Sequence, residues 1–290
     1  MNRRTLLRGA AGSALWLCPA VRQTAAAAAV TTPLAAAGLP RLTVTLDDAG
    51  YRVDPASVPE GWVLLALENR QAQGDNSADV LRVPDGETAD SVLASLAGAS
   101  AGPPPWVATA TFAGAPWVPA GSTAEAAVRL EAGEWLLFNP VAPLAPARLT
   151  VAAATPTAPP SLTPAVTVDL REFAFVGLDK PIPAGPAVWH VANTGKQPHL
   201  MVLSRVPDDL EQAAFMAGLT AALSGTPGPV PAGFEQVRTV GGCGTLSPGQ
   251  EISLGLDLAA GTYEAACFFP DLATGAPHMT EGMLARFVVA

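Results

Sequence analysis

The sequence predicts an all-β protein built as two tandem Greek-key sandwiches, each with one short inserted helix. Three observations lead there. Charged residues make up only 14% of the chain while it carries 27 Gly and 29 Pro, a mixture that suits short strands joined by turns better than long helices. Hydrophobic residues reach 49%, enough to fill two cores and too many for a disordered chain. The third observation is a repeat: the segment 41–151 recurs, drifted, as 165–290.

The repeat is ordered along the chain. Pro59-Glu60-Gly61 matches Pro183-Ala184-Gly185, and Asn69 matches Asn193. Arg82-Val83-Pro84-Asp85 matches Arg205-Val206-Pro207-Asp208, and Ala132-Gly133-Glu134-Trp135 matches Ala260-Gly261-Thr262-Tyr263. Self-similarity at this spacing marks a duplicated structural unit. Between the copies, 152–164 is small, Pro-rich and uncharged, the composition of a linker. Residues 29–40 read as a flexible lead-in.

Within each copy, apolar or alternating runs such as 62–68, 187–193 and 200–205 have strand character. The Ala/Leu-rich segments 87–96 and 209–223 follow an Asp able to cap a helix. The stretch 251–269, broken by Ala259-Ala260-Gly261-Thr262, reads as a hairpin. An immunoglobulin-like sandwich without metal satisfies the strand pattern equally well.

At the start of the chain, Arg3, Arg4 and Arg8 accompany a short apolar run over 9–21 and then small residues, the pattern of a signal peptide over 1–28. The run is short for a membrane span. Arg3-Arg4-Thr5-Leu6-Leu7 resembles a twin-arginine export signal, with a general secretory signal as the alternative. Trp16-Leu17 ahead of Cys18 argue against a lipid attachment site. The expected location is therefore periplasmic or secreted, with no membrane anchor after cleavage. Removing 1–28 takes four arginines and no acid, so the net charge of −9 becomes −13. Such a surface disfavours nucleic acid and is compatible with a basic protein partner, and equally with plain solubility.

The chemistry-bearing residues cluster in the second copy. Asn193-Thr-Gly-Lys-Gln-Pro-His199 precedes one strand; Cys267 ends another; Pro277-His278 and Met283 follow on the next loop. Here the sequence resembles the cupredoxin family, in which a histidine follows an Asn-x-Gly turn and Cys, His and Met come in that order from the loop before the last strand. The resemblance implies one copper ion held by His199, Cys267 and His278, with Met283 as the axial thioether. Two imidazoles and a thiolate with a weak thioether are the donors of an electron-transfer copper. The intervening loop, 268–277, is longer than small blue copper proteins generally use, and Pro270, Gly275 and Pro277 must fold it back. The first copy has Asn76 where the second has His199, and Asn139 where it has Cys267, so it lacks the ligand set.

Other assignments of these residues stay open. Cys243 and Cys267, the two cysteines left after cleavage, are placed to form a disulfide in an oxidising compartment, which would make a metal-free binding or structural module. Met201, Met279 and Met283 near the histidines also suit Cu(I) storage or delivery. His190 reads as a structural or surface residue. With three histidines the chain cannot build the histidine-rich cluster of a multicopper oxidase, and a four-ligand site leaves no position for substrate, so no enzymatic turnover is expected. No phosphate loop, nucleophile elbow or Cys-x-x-Cys pair is present.

Overall fold

The computed structural model describes residues 34–97, 103–139, 144–224 and 229–290. The proposed signal peptide lies outside the described residues. The first half contains strands Arg41–Asp47 (β1), Gly50–Asp54 (β2), Ser57–Asn69 (β3), Asp75–Asn76 (β4) and Asp79–Arg82 (β5). Helix Ala89–Ala97 (α1) follows, then Thr111–Phe112 (β6), Val118–Pro119 (β7), Thr123–Leu130 (β8), Gly133–Phe138 (β9) and Ala147–Thr157 (β10). The second half runs Val166–Arg171 (β11), Ala174–Val176 (β12), Gly185–Asn193 (β13) and His199–Val206 (β14). After helix Gln212–Ser224 (α2) come Arg238–Leu246 (β15), Glu251–Leu258 (β16), Gly261–Ala266 (β17) and Leu284–Val289 (β18). The protein is thus mostly β. No helix among the described residues is long and apolar enough to cross a membrane.

The two halves repeat the same pairings. β1 lies parallel to β3 and β3 antiparallel to β8; β11 lies parallel to β13 and β13 antiparallel to β16. On the other side, β5–β9–β10 corresponds to β14–β17–β18. The polar anchors repeat as well. Asn69 Nδ2 donates to the carbonyls of Gly74 and Val118, and Asn193 Nδ2 to those of Gln197 and Leu246. Arg82 and Arg205 both donate to the carbonyl before a positive-φ glycine, Ala132 before Gly133 and Ala260 before Gly261.

Several expectations change. β16 pairs with β13 and β8 while β17 pairs with β14 and β18, so Ala259-Ala260 is a corner between sheets rather than a hairpin turn. Antiparallel contact of β8 with β16 joins the halves into one 12-stranded sheet, beside a four-stranded sheet β15–β14–β17–β18. The linker segment is partly ordered: β10 continues to Thr157, whose hydroxyl accepts from Trp62 N at 2.6 Å and donates to Trp62 O at 2.9 Å. In the lead-in, Leu34 is fully buried against Trp62, Leu64 and Val188. Helix α1 is capped by Thr88, whose Oγ1 accepts from Ser91 N at 3.1 Å, in place of the upstream Asp.

In the second half aromatic side chains connect strands of the two sheets. Trp189 on β13 meets Phe287 on β18 at 6.0 Å, and Tyr263 on β17 stacks on Phe287 at 5.5 Å. The fully buried Glu264 on β17 is held by Arg286 at 2.7 Å and by Gln212 of α2 at 2.9 Å, which fastens the inserted helix to the sheet.

Between the halves, Ser247 Oγ donates to Ala110 O at 2.6 Å and accepts from Phe112 N at 2.8 Å. Asp79 faces Thr245 across the same seam at 3.4 Å. Burial raises the Asp79 carboxyl above its ordinary range, against the opposing hydrogen bonds from Thr245. A carboxyl whose folded pKa is raised binds its proton more tightly in the native state than in the unfolded chain. Its stabilising contribution is therefore present at low pH and is lost as pH rises above the unfolded value of about 3.9. Replacing Asp79 by Asn removes the buried charge and keeps a polar side chain. Urea unfolding of D79N is expected to show a higher midpoint than wild type at pH 7, with the difference closing towards pH 3.

Candidate metal centre

The site forms where the Asn193 loop meets the segment between β17 and β18. Asn193 closes β13 and accepts Gly195 N–H on its Oδ1 at 2.9 Å while its amide holds Gln197 O and Leu246 O. This Asx-type turn is what Asn provides at a loop start, and it delivers His199 to the first position of β14. Cys267 follows the last residue of β17, and its amide donates to Met283 O at 3.2 Å. His278 opens a single 3₁₀ turn, His278–Glu281, after Pro277.

The long loop folds back through its own polar side chains. Asp271 Oδ1 accepts the amides of Ala273 and Thr274 at 3.0 and 2.7 Å. Its Oδ2 accepts Gln197 Nε2 at 2.8 Å, while Gln197 Oε1 accepts Leu272 N–H at 2.8 Å. These bonds hold the Asp271 carboxyl down at a pKa of about 2. Pro270 and Pro277 bridge at the neck of the loop, and His278 N–H donates to Phe269 O at 2.9 Å. Gln197 thus ties the loop carrying one histidine to the loop carrying the other.

Three of the four sequence-derived candidates converge. His199 Nδ1 lies 3.0 Å from His278 Nδ1, and Cys267 Sγ lies 3.5 Å from His278 Nδ1. The three ligand atoms lie within 4.8 Å of one another, and each residue is fully buried. An ion at about 2.0–2.1 Å from nitrogen and about 2.3 Å from thiolate sulfur reaches both members of each close pair at once. The fourth candidate, Met283, is buried in the same cluster as Cys267, and its amide donates to His278 O at 2.9 Å. Asn76 and Asn139, at the matching positions of the first copy, also meet: Asn139 Nδ2 donates to Asn76 Oδ1 at 2.6 Å. His190 stands apart, 3.3 Å from Glu251.

The electrostatics suit a metal ligand set. Burial lowers the pKa of His199, against the raising effect of Glu172, and burial together with His199 brings His278 down to about 4. Both imidazoles are therefore neutral near pH 7, as metal binding requires. Nε2 of each histidine is buried without a hydrogen-bond partner. The Cys267 thiol, pushed up to about 12 by burial, keeps its proton until a cation replaces it. Leu200 N–H points at its sulfur from 3.4 Å. The donor set, two imidazoles and a thiol in a dry pocket, fits a single copper ion.

Cys243 and Cys267 are both free thiols, so the disulfide considered from the sequence is not formed. Two residues beside the histidines carry no sequence signal: Glu172, 3.5 Å from His199 Nε2, and Phe173, whose ring meets His278 edge-on at 5.0 Å. Both come from the turn between β11 and β12, far along the chain from the ligands.

No family model matches the chain, and no curated protein matches it. Among solved structures, it is similar to a dithionite-reduced auracyanin of the photosynthetic bacterium Roseiflexus castenholzii, at 22% identity over 43% of this chain and 94% of that one, with a TM-score of 0.30. Auracyanin A, a "blue" copper protein of Chloroflexus aurantiacus, matches at 18% identity over 43% of this chain and 97% of that one, TM-score 0.27. A multicopper oxidase of Pediococcus acidilactici matches at 10% identity over 87% of this chain and 59% of its own length, TM-score 0.26. The superpositions are partial, and the assignment of the centre rests on the residues described above.

Complete burial of both thiols, with Cys243 also raised to about 12, gives a chemical expectation. In native metal-free protein at pH 8, iodoacetamide should label neither Cys243 nor Cys267 within an hour; in denaturant without reductant both should react. Failure of both to react after unfolding would reveal a bridge.

Proposed function

We propose that the chain is an exported electron carrier whose second half, 165–290, is a cupredoxin-like Greek-key sandwich binding one copper ion. The single observation that carries this reading is the meeting of His199 Nδ1, His278 Nδ1 and Cys267 Sγ inside a dry core. His199 and His278 would hold the ion as neutral imidazoles and Cys267 as thiolate after releasing its proton, and Met283 would add a thioether. Copper, when bound, accepts and releases one electron. The protein's part is to hold the donors in one arrangement for both oxidation states, which Asn193, Gln197 and Asp271 support by clamping the two ligand loops together.

Burial of all three donors leaves a substrate no direct access to the ion, which favours electron transfer over turnover. The first half, 41–151, is a degenerate copy of the same sandwich, with the Asn76–Asn139 hydrogen bond where the second copy has ligands. The basic, apolar and then small residues at the start of the sequence support export, and the acidic mature surface suits a basic redox partner.

Titrating metal-free protein with Cu(II) is expected to give an intense visible thiolate-to-copper band saturating at one equivalent. Cys267→Ser should abolish the band while the protein stays folded. A wild-type protein with a verified free thiol and no band would defeat the reading; tight Cu(I) binding without a stable Cu(II) complex would move it to copper storage or delivery.

A further inference from the structure

The turn between β11 and β12 places a carboxylate against a ligand histidine. Glu172 Oε1 lies 3.5 Å from Nε2 of the fully buried His199. The same oxygen accepts the backbone N–H of Lys196, and that of Gln197 at 2.9 Å. Both donors belong to the loop that delivers His199, so the carboxylate is fixed beside the ring. Nε2 itself is a buried ring nitrogen with no hydrogen bond, and the gap to Oε1 is a few tenths of an ångström beyond hydrogen-bonding range.

Gly195 supplies a second, independent observation. A β-carbon there would sit 2.7 Å from Glu172 Oε1 and 3.0 Å from His199 Nε2. The backbone at Gly195 is not in the positive-φ region, so the conformation does not call for glycine. What it permits is the approach of this carboxylate to this ring.

We propose that Glu172 is a positioning residue of the metal centre. Its carboxylate accepts a hydrogen bond from Nε2–H of His199, which fixes the tautomer whose unprotonated Nδ1 faces Cys267 and His278. It also lays a negative charge behind the ligand. Histidine ligands generally depend on such an outer partner for orientation and basicity, and a negative charge there favours the more positive oxidation state of the ion. The effects on copper affinity and reduction potential rest on the copper reading; the effect on the tautomer does not.

Ring ¹⁵N NMR of the metal-free full chain reads the His199 tautomer directly. Wild type should show Nε2–H. Glu172→Ala and Gly195→Ala should lose this uniform state, whereas Glu172→Gln, whose amide oxygen still accepts, should retain it. With copper, Glu172→Ala should weaken Cu(II) binding about 10–100-fold. Glu172→Gln should recover part of that affinity yet keep a reduction potential above wild type, because it restores the hydrogen bond without the charge. A loop-packing role alone would not separate potential from affinity in this way. Retention of the Nε2–H tautomer in Glu172→Ala overturns the proposal whatever the copper affinity. Should wild type bind no copper while the tautomer responds as described, the positioning role stands and the copper reading falls.

Discussion

Two imidazoles and a thiol face one another in a core from which water is excluded, and without a cation that arrangement is costly. Buried polar groups cost free energy unless they are hydrogen-bonded, and here His199 Nδ1 meets His278 Nδ1 at 3.0 Å with Cys267 Sγ 3.5 Å from the latter. A fold selected for packing alone would place apolar side chains there. Instead the surrounding polar residues are arranged to keep the three donors together: Asn193 turns the chain into His199, Asp271 compacts the long loop, and Gln197 joins the two. A cation held between the three donors gives that polar scaffold a function.

The first half supports the same logic by contrast. Its Asn69 makes the turn that Asn193 makes in the second half, and its Asn76 and Asn139 sit at the positions of His199 and Cys267. These two amides satisfy each other directly, and Tyr51 donates to Asn76 Oδ1 at 3.2 Å and to Ser77 O at 2.6 Å. Where the ligands are gone, the buried polar groups have found partners within the protein. In the second half the three candidate donors converge on one another instead, His199 Nδ1 and His278 Nδ1 at 3.0 Å and Cys267 Sγ 3.5 Å from His278 Nδ1.

Much of this was readable from the sequence because it rests on local chemistry. Apolar and alternating runs located the strands Gly185–Asn193 and His199–Val206, and the Asn-Thr-Gly turn marked the approach to His199. What the sequence did not disclose depends on which strand a segment pairs with. The turn at Ala259-Ala260 reverses the chain whether it joins partners in one sheet or crosses between two, so its residues could not distinguish a hairpin from a corner. The composition of 152–157 resembles a linker, yet Thr157 binds both backbone groups of Trp62 with one hydroxyl and continues the strand. Glu172 and Phe173 are ordinary turn residues until the parallel pairing of β11 with β13 carries their turn to the histidines.

The central claim is that one sulfur and two ring nitrogens share an ion, and X-ray absorption at the copper edge of the loaded protein tests it most directly. The account predicts a first shell with one short sulfur contact and two imidazole nitrogens. A first shell of nitrogen and oxygen alone, in protein whose Cys267 is reduced, would contradict it.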